Sequence, residues 1–338
     1  MFTAGGCVTE EYAPPVHEEA QSGDSQPPDA PVSASGESAG EDTPPPVLPA
    51  GSGEAVRAQD VDPAAASPAE VPASALGAYD FAGDAAQVRL PSELREVSGL
   101  AMDGEGRLFA HQDERAIIFQ IEPATGEIVP SFKLGRNGIR GDFEGVAVAG
   151  ERMFLVSSDG VLYAFTPPGA DGESRYERMR LDTGSRCSEV EGLDYDARFD
   201  ELLLACKVTR GRALRDRLLV FAFSLRSNSL LDPPRLNVAL DVLARDELKA
   251  ELSASGIAVH PVTGTLFVIA ARENLVVELT RSGELLGTAK LRSGTHRQPE
   301  GIAFAADGTL YIADEAPSGR ATLTVYRPDV ARFRPATE

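Results

Sequence analysis

Three glutamates each stand directly before a glycine and an apolar run: Glu144-Gly145-Val146-Ala147, Glu191-Gly192-Leu193 and Glu300-Gly301-Ile302-Ala303. Ser98-Gly99-Leu100-Ala101 and Ser255-Gly256-Ile257-Ala258 repeat the pattern with a hydroxyl in place of the carboxylate, and Glu96 lies just upstream of Gly99. Carboxylates are hard oxygen donors. Gathered at one point, they hold a divalent cation, pair with Lys or Arg, or retain protons to relieve their mutual repulsion. Any of these needs the chain to bring distant positions together, and the spacing of the five glycines (46, 47, 64 and 45 residues) says how. A period in the 40s, each unit holding several short strands, marks a β-propeller.

The first unit shows the grammar. Val97 to Met102 reads as a strand, Asp103-Gly104-Glu105-Gly106 as a turn, and Arg107 to Gln112 as a second strand. Ala116 to Ile121 and Ile128 to Leu134 complete it, joined by Ala124-Thr125-Gly126-Glu127. The last unit repeats this through Asp307-Gly308-Thr309, Leu310 to Ala313 and Ala321 to Tyr326. Asp-Gly and Thr-Gly between β-rich runs are hairpin signals. The long third unit carries a basic hairpin, Arg210 to Arg217, and a helical stretch, Val238 to Leu252. The expected fold is therefore all-β: a propeller with five explicit blades, or six if the long unit divides near Leu230. A strand within Tyr79 to Leu90 should close the ring against the C-terminal blade, because an open edge invites aggregation.

In a propeller blade the first strand lines the central channel and the second returns to the same mouth. Residues before each repeat glycine and residues ending each second strand therefore converge. That predicts a ring of Glu96, Glu144, Glu191, Glu300 and Asp314 as ligands of one divalent ion, Ca²⁺ or Mg²⁺, lined by His111, Asp113, Lys207, Arg272 and Glu315. Two other readings fit the same residues. Glu-Gly could serve only the blade junctions, with each Glu capping loop N–H groups or pairing with Lys207 or Arg272. A cationic or polyol ligand could also occupy the mouth without a metal.

The strings Glu96-Val97-Ser98-Gly99-Leu100, Asp142-Phe143-Glu144-Gly145-Val146-Ala147 and Pro299-Glu300-Gly301-Ile302-Ala303 resemble the SdiA-regulated family of bacterial propellers, and Ala313-Asp314-Glu315 fits the same pattern. Pro299 to Phe304 with Asp307 to Asp314 is similar to an NHL-repeat unit. The resemblance covers about residues 78–330 and implies an exported or envelope-associated protein with a Ser/Glu-Gly ring at its channel. A metal-dependent lactonase or esterase of the regucalcin and gluconolactonase type is the alternative; that similarity calls for an Asn ligand, and only Asn274 lies near a strand end. A non-catalytic scaffold binding proteins through its rim is the third. G-x-S-x-G, H-E-x-x-H and P-loop signatures do not occur.

Charge separates the chain in two. Residues 1–80 hold 14 Asp and Glu against one basic residue, Arg57, and 12 of the 24 prolines. Such a stretch cannot bury enough apolar surface to offset its ordering entropy, so residues 1–77 read as a disordered acidic tail and 78–338 as the propeller domain. The acidity argues against a nucleic-acid partner. Thr3-Ala4-Gly5-Gly6-Cys7 resembles a lipoprotein processing site, although six residues cannot form a signal peptide's charged and apolar regions. Cys7 is then either a lipidation site, with the coding sequence starting upstream, or a lone thiol. The first reading predicts a protein held at the cell envelope by a lipid anchor alone, since no run of 18 apolar residues occurs. Cys187 and Cys206 fall at the same end of the third unit and form either a disulfide or two buried thiols. A hairpin turning near Arg198-Phe199 would pair Cys206 with about Glu191.

Overall fold

Strands in this chain alternate with glycine-bearing turns, and each turn reverses the chain onto its predecessor. The computed structural model describes residues 74–168, 172–243, 252–316 and 318–333. The chain enters through β1 (Ala86–Arg89). The first blade is β2 (Val97–Met102), β3 (Leu108–Gln112), β4 (Ile117–Ile121) and β5 (Ile128–Leu134). The second is β6 (Phe143–Ala149), β7 (Arg152–Ser157), β8 (Val161–Phe165) and β10 (Tyr176–Arg180), with β9 (Glu173–Ser174) running parallel beside β5. The third is β11 (Cys187–Asp196), β12 (Glu201–Thr209) and β13 (Arg217–Ser224), with β14 (Ser229–Leu230) and β15 (Leu236–Ala239) both on the outer edge of β13. The fourth is β16 (Gly256–Val259), β17 (Leu266–Ala270), β18 (Leu275–Leu279) and β19 (Leu285–Lys290). In the fifth, β20 (Pro299–Phe304), β21 (Leu310–Asp314) and β22 (Thr322–Tyr326) are completed by β1.

The result is five sheets, and the 64-residue unit is one blade, not two. Its extra length goes into β14 and β15, which share one partner, and into a helical turn at Leu240–Leu243. Of the helical expectation over Val238 to Leu252, Leu240–Leu243 is helical, Val238 and Ala239 are strand, paired with Leu218 and Arg217, and 244–251 lie outside the described residues. The basic segment Arg210 to Arg217 is the β12–β13 connection, its middle turned back by Thr209 Oγ1 donating to the Leu214 carbonyl at 2.7 Å. Ring closure follows expectation, with Ala86 to Arg89 antiparallel to Val325 to Thr322.

Successive innermost strands touch around the axis, β2 to β6, β6 to β11, β11 to β16, β16 to β20 and β20 back to β2. The repeat glycines make that approach possible. A Cβ on Gly145 would fall 2.7 Å from the Leu193 nitrogen, one on Gly192 2.9 Å from the Ile257 nitrogen, and one on Gly256 2.8 Å from the Glu300 carbonyl oxygen. None of the five has a positive φ, unlike the hairpin glycines Gly106, Gly126 and Gly308. Their role is to let neighbouring backbones meet. Between blades the core is apolar: all five residues of β17 are buried, and burying each Leu or Phe contributes roughly 1.5–3 kcal/mol.

Docking starts ahead of residue 78. Buried Glu278 accepts hydrogen bonds from Ser74 Oγ (2.6 Å), Ala75 N (3.0 Å), Leu76 N (3.1 Å) and Thr265 Oγ1 (2.7 Å). Tyr79 then enters a cage of Phe267, Phe304, Phe333 and His260, its hydroxyl donating to the Gly308 carbonyl at 2.7 Å. Residues 1–73, with Cys7 and the acidic tail, lie outside the described residues.

Candidate functional site

The pairing of four of the five first strands, all but β16, slips by one residue at its channel end. The irregularities fall between Val97 and Gly99, Phe143 and Gly145, Val190 and Gly192, and Pro299 and Gly301. The extra residue in each is the one before the glycine: Ser98, Glu144, Glu191 or Glu300. A β-bulge leaves its extra residue unpaired and redirects its side chain. The three Glu-Gly pairs and Ser98-Gly99 are thus bulges opening the innermost strands, with the glycine making room for the next blade, whereas Ser255 precedes a regularly paired β16.

Glu144 Oε2 accepts a hydrogen bond from Ser98 Oγ at 2.7 Å, joining the first and second blades. Glu191, 4% exposed, takes the Lys207 ammonium at 2.7 Å. Ser255 instead turns to the backbone, donating to the Pro299 carbonyl at 2.7 Å. Between these strands lies a cavity of about 10 Å³, lined among others by Ser98, Glu144, Glu300 and the glycines Gly99, Gly145, Gly192 and Gly256. That is room for about one water or one ion.

The electrostatics are those of crowded, desolvated anions. Burial, then the charge of Glu191, pushes the Glu144 carboxyl up to about 9, with the Ser98 hydrogen bond and Lys207 acting against the rise. Burial, Glu191 and Glu315 push Glu300 up to about 8. Glu191 is itself raised by burial, while the Lys207 hydrogen bond pulls it down. Desolvation opposes the charge on Lys207, but its bond to Glu191 and the fields of Glu191, Glu300 and Glu144 outweigh that and raise it. The three glutamates and Lys207 therefore form one interacting group.

Asp113, Glu96 and Glu315 extend this group: burial raises Asp113 and Glu315, Glu96 adds to each, and Glu315 also acts on Glu300 and is acted on by Lys207 and Glu191. Glu96 itself pairs with Arg95 at 3.1 Å, and Gln298 donates to Glu315. Asp314 is spent on its own loop, not turned to the ring. Its Oδ2 meets His296 Nδ1 at 2.7 Å and its Oδ1 accepts from the Arg297 and Gln298 amides, while His296 Nε2 meets the Tyr326 hydroxyl at 2.7 Å. Because the β20–β21 hairpin sets Asp314 opposite Pro299, the carboxylate caps the segment leading into Glu300. His111 is fully buried, its Nδ1 against the Gln112 carbonyl, and burial lowers it to about 4. Its Nε2, without a partner among the described residues, fills the space where a Gly99 side chain would stand. Arg272 makes no ion pair among the described residues; Lys207 is the cation of the ring. Nor do any three His, Cys, Asp or Glu side chains among the described residues converge as a metal-ligand set.

Cys187 and Cys206 are joined by a disulfide, their Cα atoms 5.9 Å apart. Cys206 stands opposite Val190, and three successive register shifts between Cys187 and Gly192 draw Cys187 back into reach. The bridge flanks the Glu191–Lys207 pair on the same two strands. Sequence reasoning passed over Ser98 as a site residue, although its hydroxyl precedes a repeat glycine as the glutamates do.

The SdiA-regulated family matches residues 78–319. The chain belongs to that family. No curated protein matches it. Among solved structures it is similar to the glutaminyl cyclase of Myxococcus xanthus, at 16% identity and a TM-score of 0.51, covering 72% of this chain and 94% of that one. A luciferin-regenerating enzyme matches at 11% identity and a TM-score of 0.44, covering 72% and 95%, and virginiamycin B lyase of Staphylococcus aureus at 13% and 0.39, covering 71% and 73%. Likeness at these identities shows the fold alone. No helix among the described residues is long and apolar enough to cross a membrane.

Proposed function

We propose that this SdiA-regulated propeller binds one small divalent cation, Ca²⁺ or Mg²⁺, at the mouth of its channel, with Glu144, Glu191 and Glu300 as its anionic donors. The observation that carries the reading is the bulge: three blades each turn a glutamate out of strand pairing, Glu144 and Glu300 line a cavity with room for about one ion, and Glu191 acts on both through its charge. Blade packing requires the glycine, but not a carboxylate in front of it. Burial, and then the charge of Glu191, favours the protonated form of the Glu144 and Glu300 carboxyls, while the Lys207 ammonium offsets Glu191 alone by hydrogen bonding. An oxygen-liganded divalent ion supplies the missing positive charge. The donors fit a hard cation in chemistry: carboxylates, with the Ser98 hydroxyl beside them. Their present arrangement is closed on Lys207, so the carboxylates must reorient to serve as ligands.

Export to the cell envelope belongs to the same proposal. Its support is the Cys187–Cys206 disulfide, since such bridges persist mainly in oxidising compartments. Anchoring through Cys7 rests on the sequence alone.

Thermal melts of chelator-stripped protein test the ion reading. Added Ca²⁺ or Mg²⁺ should raise the melting temperature, with about 2.7 kcal/mol of stabilisation at a hundredfold excess over Kd, and Glu144→Gln and Glu191→Gln should abolish the rise. An ion-independent melt in the wild type would end the proposal.

A further inference from the structure

Lys207 sits where a bound cation would do most good. It lies near the end of β12, two residues before Thr209, and its ammonium lies 2.7 Å from Glu191 Oε1. The two partners differ in freedom: the Glu191 side chain is 5% exposed, the Lys207 side chain 29%. Glu191 is therefore fixed within the wall, whereas Lys207 reaches it on a flexible stem that keeps access to solvent. Glu300 and Glu144 are the next charges acting on the ammonium. One tethered positive charge thus faces the three carboxylates to which the preceding section assigns an external ion.

From this geometry we infer that Lys207 is a built-in competitor for the cation, an ammonium that holds Glu191 while the ring is ion-free and swings out when an ion binds. The inference rests on the ion-binding reading and adds its regulation. A divalent ion drawn to these carboxylates would lie close to the ammonium held on Glu191, and like charges repel strongly in a desolvated site. A divalent ion draws on all three carboxylates at once, whereas the ammonium hydrogen-bonds only one of them. The long stem of Lys207 gives the displaced ammonium a route to water that the buried glutamates lack. The device keeps the ring folded without an ion and sets the affinity below what the carboxylates alone would give.

Calorimetric titration of the chelator-stripped full chain with Ca²⁺ and Mg²⁺ tests this in the wild type, Lys207→Met and Lys207→Arg. Removing the competitor should tighten binding by about tenfold, the size of a coupling between contacting groups, and Lys207→Arg should stay near the wild type. Reductive methylation of Lys207, followed by mass spectrometry, should speed up in the wild type when the ion is added. Equal or weaker binding by Lys207→Met, or methylation unchanged by saturating ion, overturns the inference while leaving wild-type ion binding intact. Binding by Lys207→Met alone would uphold the competitor and remove the reading for the wild type. Binding by neither protein rejects both. Should Lys207→Met fail to fold, the methylation experiment decides.

Discussion

At the scale of single residues, the channel mouth and the buried histidines put opposite pH dependences into the fold. Glu144 and Glu300 have folded values of about 9 and about 8, above the ordinary carboxyl range. Between the unfolded and folded values the native state holds protons that the unfolded chain has lost. Their stabilisation is thus complete below about pH 4.5 and is lost as pH rises through 8 to 9. His111 and His260 are pushed down to about 4 by burial, so their contribution is lost as pH falls from about 6.5 through 4. Above pH 6.5 only the carboxyls slope. Ion-free protein should lose stability between pH 6.5 and 8, on the order of 1 kcal/mol per pH unit for each carboxyl. Denaturant unfolding at several pH values reads this directly. Glu144→Gln should reduce the slope, with Glu300 and, up to about pH 7, buried Asp194, pushed up to about 7 by burial, contributing to the remainder; an unaltered slope would mean that Glu144 is ionised throughout.

Among the strands, the bulge accounts both for what could be read in advance and for what could not. Hairpin turns and strand limits in the first blade were legible because alternation and turn glycines are local signals, and Val97–Met102 and Ile128–Leu134 match their expected limits. The equal offset of Glu144, Glu191 and Glu300 from a glycine was legible too. The slip that frees them from pairing was not, since a bulge depends on where the partner strand lies. The same holds for Asp314, whose partners His296, Arg297 and Gln298 lie on a loop that only the fold brings beside it. It holds again for Cys187, which reaches Cys206 only through irregular pairing. The glycine of each bulge makes a testable demand. Gly192→Ala would set a methyl 2.9 Å from the Ile257 nitrogen, at a cost of roughly 1–3 kcal/mol for overpacking. Gly104→Ala, with nothing within 4 Å and no positive φ, should leave the denaturation midpoint near that of the wild type. Equal midpoints for the two variants would remove the close-approach role of the repeat glycine.

For the molecule as a whole, the repeat determined the propeller and β1 determined its closure, while the blade count had to await pairing. The long third unit could have been two blades by length alone; β13 takes both β14 and β15 as partners and keeps it one. Closure brings bulges from four blades to a common axis, and three of them carry glutamate. A single ion there would tie together the second, third and fifth blades, which are far apart in the sequence. The central claim is therefore one of stoichiometry. Titration calorimetry of the ion-free chain with Ca²⁺ and Mg²⁺ should give one bound ion per chain in the wild type, and no measurable binding in Glu144→Gln or Glu300→Gln. Absence of binding in the wild type at millimolar ion, or wild-type binding by both variants, would contradict the account.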